Sequence, residues 1–149
     1  GITVGNTQFL SSIPYNTVTS PGTSKYIITV ACYNQNNDNI VISSGTASLN
    51  NIINIVDLAA GGVNVQTIGA NSTTISTVNG TSVSAAVVAG ACALLLEWGI
   101  INGNDPNIYS QTIKYYLTGG TRKRSGDVYP NPQWGFGILD MIKVFRNMT

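Results

Sequence analysis

From Gly80 to Leu96 the chain reads GTSVSAAVVAGACALLL, with no proline and no charged side chain. A run of small and apolar residues of this length fits an α-helix lying in a core, and Trp98-Gly99 is the kind of ending at which a helix stops. The apolar part, Val83 to Leu96, falls short of the roughly 20 residues needed to span a bilayer, so it reads as a buried helix. Ala85, Ala86, Ala89, Gly90 and Ala93 would let neighbouring backbone approach closely. Whatever else the chain forms must pack around this helix.

The first half carries β-type patterning. Lys25 to Tyr33 (KYIITVACY) is a β-branched apolar run expected to be a strand buried on both faces. The polar turn Asn34 to Asn39 separates it from a short strand, Ile40 to Ser43. Asn51 to Leu58 is ambiguous, Gly61-Gly62 turns the chain into a strand over Val63 to Thr67, and Asn71 to Thr77 fits a loop or short edge strand. After the central helix, Asp105-Pro106 resembles an N-cap followed by proline at the first helical position. Ile108, Ile113, Tyr116 and Leu117 supply one apolar face of this second helix to about Thr118. Gly119-Gly120 closes it, Ser125 to Trp134 is an irregular loop, and a terminal helix is expected from Ile138 to Phe145. Strands followed by helices predict an α/β layer architecture.

Composition narrows the function. With 43% apolar and only 9% charged residues, the 149-residue chain has the material for a core and little ionic surface. A net charge of +1 gives no footprint for nucleic acid or an anionic membrane, and neither is an expected partner. Arg122-Lys123-Arg124 is read as a solvated run behind a helix end, and Lys25, Lys114, Lys123 and Lys143 as solvated charges. Cys32 and Cys92 lie in apolar surroundings and are read as buried free thiols, with a disulfide as the alternative. With no histidine and no paired cysteines, no metal site and no cofactor are expected. Asn71, Asn79 and Asn147 each open an N-glycosylation triplet, a pattern that Asn-rich chains produce by chance. The chain starts at Gly1, without a leader-like segment, and upstream sequence is expected to be missing.

Gly80-Thr81-Ser82 places a serine where a tight turn enters a helix. Such a turn exposes Oγ and offers free N–H groups to an oxyanion. The same three letters occur at Gly22-Thr23-Ser24 and lead into a strand, so the tripeptide alone carries no signal. The ordinary role for a serine there is an N-cap.

The wider context decides. NGTSVSAAVVAG, from Asn79, resembles the nucleophile motif of the subtilases, Gly-Thr-Ser-x-Ala-x-Pro-x-x-x-Gly. Gly80, Thr81, Ser82 and Gly90 match, while Ser84 stands where Ala is usual and Ala86 where Pro is usual. KYIITVACY is similar to the family's ITVGAY strand, DLAAGGVNV from Asp57 to DIVAPGVNI, and WGFGILD from Trp134 to a late Gly-x-Gly-x-hydrophobic-Asp segment. ALLLEWGI, NGND and YPNPQWGFG resemble the clostridial subtilases that include the Csp germination proteases.

The resemblance implies the C-terminal portion of a three-layer α/β/α domain, with a mostly parallel sheet and a central helix starting at the nucleophile. Residues 19–149 would be core and residues 1–18 the end of a β-rich insertion. It implies a serine endopeptidase acting on protein or peptide through Ser82, with Asn79, Gly80 and Thr81 supporting the motif and the oxyanion region. Asp57 would support structure near the site. The catalytic Asp and His and the oxyanion Asn would come from an upstream part of the protease, leaving this chain alone inactive. Gly5-Asn6 resembles the Gly-Asn that carries the oxyanion side chain, but the following TQFLSSIPY fits the insertion better. No lysine lies near Ser82 in sequence to form a Ser–Lys dyad. Departures at Gly61, Ser84 and Ala86 leave a second reading, a pseudoprotease that senses or binds a partner. A secreted or spore-associated location would accompany the resemblance.

Overall fold

In the computed structural model the described residues are 11, 13–49, 56–70 and 73–148. Strand β1 (Val30–Asn34) is central. It pairs antiparallel with β2 (Asn39–Ile40) and parallel with β3 (Leu58–Gly61), Cys32 standing opposite Ala60. Ile138 extends the sheet beyond β3 through a parallel bridge to Ala59 and an antiparallel one to Arg122. Strands β4 (Val65–Ile68) and β5 (Ile75–Val78) form a separate antiparallel hairpin, Ile68 opposite Ile75, that leads into helix α1 (Thr81–Leu96). Helices α2 (Ser110–Gly119) and α3 (Met141–Arg146) follow.

Strand pleating divides the core. Leu58 and Ala60 face α1 and pack with Val88, Ala91, Leu95, Ile113, Leu117 and Val144. Ala31, Tyr33 and Ala59 face the other way, onto Ala47, Val56, Trp134 and Ile138. The α/β architecture is the expected one. Helices cover one face, and loop residues cover the other among the described residues.

Several boundaries differ from expectation, each for a local reason. The strand expected from Lys25 begins only at Val30, because residues 20–27 are bound into turns; Ser24 N–H donates to Pro21 C=O at 2.9 Å. The strand expected over 40–43 ends at Ile40, since Val41 C=O accepts from Ser44 N–H at 2.8 Å in a turn. Most of Asn51 to Leu58 lies outside the described residues, but Leu58 itself opens β3. Asp105-Pro106 caps no helix: Asp105 takes the Tyr116 hydroxyl at 3.1 Å, and α2 starts at Ser110. Ile138 is claimed by the sheet, so α3 starts three residues later, capped by the Asp140 carboxylate accepting from Lys143 N–H at 3.0 Å.

The central helix is also corrected. Trp98-Gly99 does not end it; a π-helical turn, Glu97–Ile101, carries it on. The 21-residue run Thr81–Ile101 is therefore long and apolar enough, by length and composition, to cross a membrane. Only one stripe of α1, Ser84, Val88, Ala91 and Leu95, is buried, and it sits on β1 and β3 as a core helix does. Val87 and Leu94 are exposed on other faces, where this chain provides no cover among the described residues.

Candidate active site

Gly80 makes the turn before α1. Its φ of 134° and ψ of 170° suit glycine alone, although a Cβ there would meet open space; conformation, not crowding, requires the residue. Gly80 C=O accepts the N–H groups of Val83 at 3.1 Å and Ser84 at 3.3 Å. The N–H groups of Thr81 and Ser82 lie ahead of Val83, the first donor to Gly80 C=O, so they are orphan donors of the helix start. Ser82 is exposed. It lines a cleft of about 1180 Å³ together with Thr81, Ala85, Pro21, Thr29 and Thr46. An exposed serine hydroxyl and the first amides of a helix thus open onto one space.

Beneath the turn, Gly80 N–H donates to Gly62 C=O at 2.8 Å. Ser84, wholly buried, donates its hydroxyl to Ala60 C=O at 2.9 Å. Gly62 is tightly enclosed: a Cβ would overlap Ser84 Oγ and stand 2.6 Å from Cys32 Sγ and 2.7 Å from Gly80 O. Asn79 Oδ1 accepts from Asn64 N–H at 2.6 Å, tying the segment before the turn to the start of β4. Asn6 lies outside the described residues, as does Asn71.

The stretch Ile27 to Val30, which also lines the cleft, is held by an ion pair between a buried carboxylate and a partly exposed lysine. Asp57, 4% exposed, accepts Thr29 N–H at 2.8 Å and meets Lys114 Nζ at 2.9 Å; Lys114 also donates to Ile27 C=O at 2.9 Å. Burial pushes the Asp57 carboxyl up from its ordinary value, opposed by hydrogen bonds from Lys114 and Thr29 and by the Lys114 charge. Gly135, at φ 58°, crosses so close that a Cβ would overlap the Asp57 carbonyl, and Phe136 N–H donates to that carbonyl at 2.8 Å.

Charges read as solvated are thus engaged. Lys114 is a structural cation. Lys123 Nζ donates to Thr121 Oγ1 at 2.9 Å and to Phe136 C=O, and Lys143 Nζ to Thr121 C=O at 3.1 Å. Arg122 pairs with Asp38 at 3.2 Å, and Arg124 pairs with Asp127 and covers the Trp134 ring at 4.6 Å from its centroid. Lys25 is exposed over Tyr26. Each lysine has partners away from Ser82. Both cysteines are free, Cys32 buried and Cys92 only partly so, with burial raising the Cys92 thiol.

Sequence reasoning missed Lys114, Gly62 and the Ser84 hydroxyl bond. A carboxylate in the apolar run DLAA demands a cation, which was the available signal for the ion pair. The close approach at Gly62 carries no such mark.

The Subtilase family profile matches residues 2–137. No curated protein matches. Among solved structures, the Clostridium perfringens CspB protease is 38% identical, with a TM-score of 0.89 over 95% of this chain and 31% of that one. The prenylagaramide maturation protease PagA is 18% identical, with a TM-score of 0.73 over 91% of this chain and 47% of that one. A protease from Pseudoalteromonas arctica is 21% identical, with a TM-score of 0.64 over 87% and 38%. The last two likenesses concern the fold alone. This chain spans less than a third of the length of CspB.

Proposed function

The chain belongs to the subtilase family, and from that premise we propose that it carries the nucleophile, Ser82, of a serine endopeptidase. The supporting observation is the placement of Ser82: exposed in a cleft, directly after the positive-φ turn at Gly80, with the first amides of α1 beside it. In the reaction, Ser82 Oγ attacks the scissile carbonyl while its proton passes to a histidine. The carbonyl oxygen becomes an oxyanion that the Ser82 N–H stabilises, and collapse expels the amine and leaves an acyl-enzyme for water to cleave. With no histidine among 149 residues, the imidazole must come from outside this chain; the family's order, Asp before His before Ser, assigns the orienting Asp to that outside part as well. The same outside part is the natural cover for the exposed faces of α1, where Val87 is 40% and Leu94 49% exposed.

Residues 1–18 are read as the end of a β-rich insertion; Gly5-Asn6 lies within the matched residues 2–137, which keeps Asn6 as a second candidate for the oxyanion side chain. Asn79, Gly80 and Thr81 serve the turn. A protein or peptide substrate follows from this chemistry. The finer assignment, a protease of the Csp type working in spore germination, rests on the 38% identity to CspB. The alternative pseudoprotease reading rests on the departures from the motif. Of these, Ser84 is absorbed by its bond to Ala60 and Gly61 by its place at the end of β3.

Peptide hydrolysis by the intact protein tests the proposal. Ser82→Ala is expected to lower kcat by at least about 10³-fold, and Asn6→Ala by about 10²-fold where Asn6 supplies the oxyanion side chain. Hydrolysis that survives Ser82→Ala would refute Ser82 as nucleophile; an unaffected Asn6→Ala would refute Asn6 alone.

A further inference from the structure

On the reading of Ser82 as nucleophile, we propose that Ser84 is its positioning residue, fixing the first turn of α1 to the end of β3 through the hydroxyl it donates to Ala60. Ser84 has 0% exposure and its Oγ lies 2.9 Å from Ala60 O. Two residues earlier, Ser82 is exposed, roughly 200° around the helix. One residue ordinarily cannot face both core and substrate, so the pair divides the work: Ser84 anchors and Ser82 reacts.

A second anchor lies on the other side of Ser82, where Gly80 N–H donates to Gly62 C=O at 2.8 Å. The nucleophile is therefore held between two bonds to one short stretch, Ala60 to Gly62. Gly62 keeps that stretch within reach, because any Cβ there would occupy the space of Ser84 Oγ. Alanine, usual at this position in the subtilase motif, brings no hydroxyl. In this chain its substitution would remove a donor from a buried acceptor and leave a gap against Gly62 and Cys32. The first turn would gain freedom just where Ser82 Oγ and N–H must keep their aim.

The test uses the intact protein with Ser84→Ala, Ser84→Cys and, as a control on the same buried stripe, Val88→Ala. With Ser84→Ala, kcat and the rate of fluorophosphonate labelling are each expected to fall about fivefold, the worth of one hydrogen bond, with KM unchanged. The amides of Val83 to Ala86 are expected to exchange about fivefold faster while that of Leu95 is unmoved. Ser84→Cys fills the space with a larger atom that is only a weak donor, so it should resemble Ser84→Ala. Val88→Ala should lower the melting temperature more than either and leave kcat alone. Unchanged exchange in the first turn with Ser84→Ala, parental rates with Ser84→Cys, or an equal loss of kcat with Val88→Ala would each overturn the proposal. If the intact protein neither hydrolyses peptide nor labels at Ser82, the nucleophile reading falls instead, and exchange alone judges the anchor.

Discussion

Gly22-Thr23-Ser24 and Gly80-Thr81-Ser82 are the same tripeptide with opposite fates. At the first, glycine answers crowding: a Cβ on Gly22 would stand 2.9 Å from Thr19 O and 3.0 Å from Val18 Cγ1. Ser24 Oγ is turned inward on its own backbone, accepting Tyr26 N–H at 3.3 Å, and Thr29 Oγ1 donates to Gly22 C=O at 2.6 Å. At the second, glycine answers conformation, with φ 134° and open space around it, and Ser82 stands exposed at the start of a long helix. A serine closed into its own turn is a structural element. A serine at a helix start facing a cleft can do chemistry.

The two sites rest on different supports, so each support can be removed separately in the intact protein. The largest effect is expected at Lys114, which braces the wall after Ser24. Lys114→Met leaves Asp57 buried without its cation and should cost about 3 kcal/mol in urea unfolding. A loss under about 1 kcal/mol would mean that the pair is solvated like a surface bridge. Next comes Gly62→Ala, beneath Ser82, where the added methyl must displace Ser84 or Cys32. About 2 kcal/mol of stability should be lost, with slower labelling of Ser82. Gly80→Ala should cost about 1.5 kcal/mol from backbone strain alone, and a neutral outcome would remove the conformational half of the contrast.

A smaller effect concerns pH. The folded Asp57 carboxyl titrates above its unfolded value, so folding favours its protonated form. The stability it contributes is full below the unfolded value and is lost as pH rises through the raised folded one. Asp57→Asn should therefore flatten the decline of stability over that interval, and an unchanged slope would assign the decline to other groups. The smallest effect belongs to Ser24→Ala, about 0.5 kcal/mol for an exposed bond, with kcat unchanged.

Much of this was legible in the letters. The helix at residue 81, the buried character of β1 and the place of Ser82 follow from small-residue runs, β-branching and the Gly-Thr-Ser turn. What escaped was tertiary. Ile138 reads as helix but is taken by the sheet, Asp105 reads as a cap but bonds Tyr116, and Lys114 reads as surface but neutralises a carboxylate 57 residues earlier in chain order. Strand onset at Val30, against an expected Lys25, was lost because the turns at 20–27 spend backbone donors that a strand would need. Ser84 looked like a departure from a motif; its meaning appears only when Ala60 is brought 2.9 Å from its hydroxyl.

The contrast between the two serines is tested most directly by labelling the intact protein with a fluorophosphonate and mapping the modified residue by peptide mass spectrometry. Phosphonylation is expected at Ser82, none at Ser24, and none anywhere in Ser82→Ala. Label on Ser24, or label retained after Ser82→Ala, would contradict that contrast.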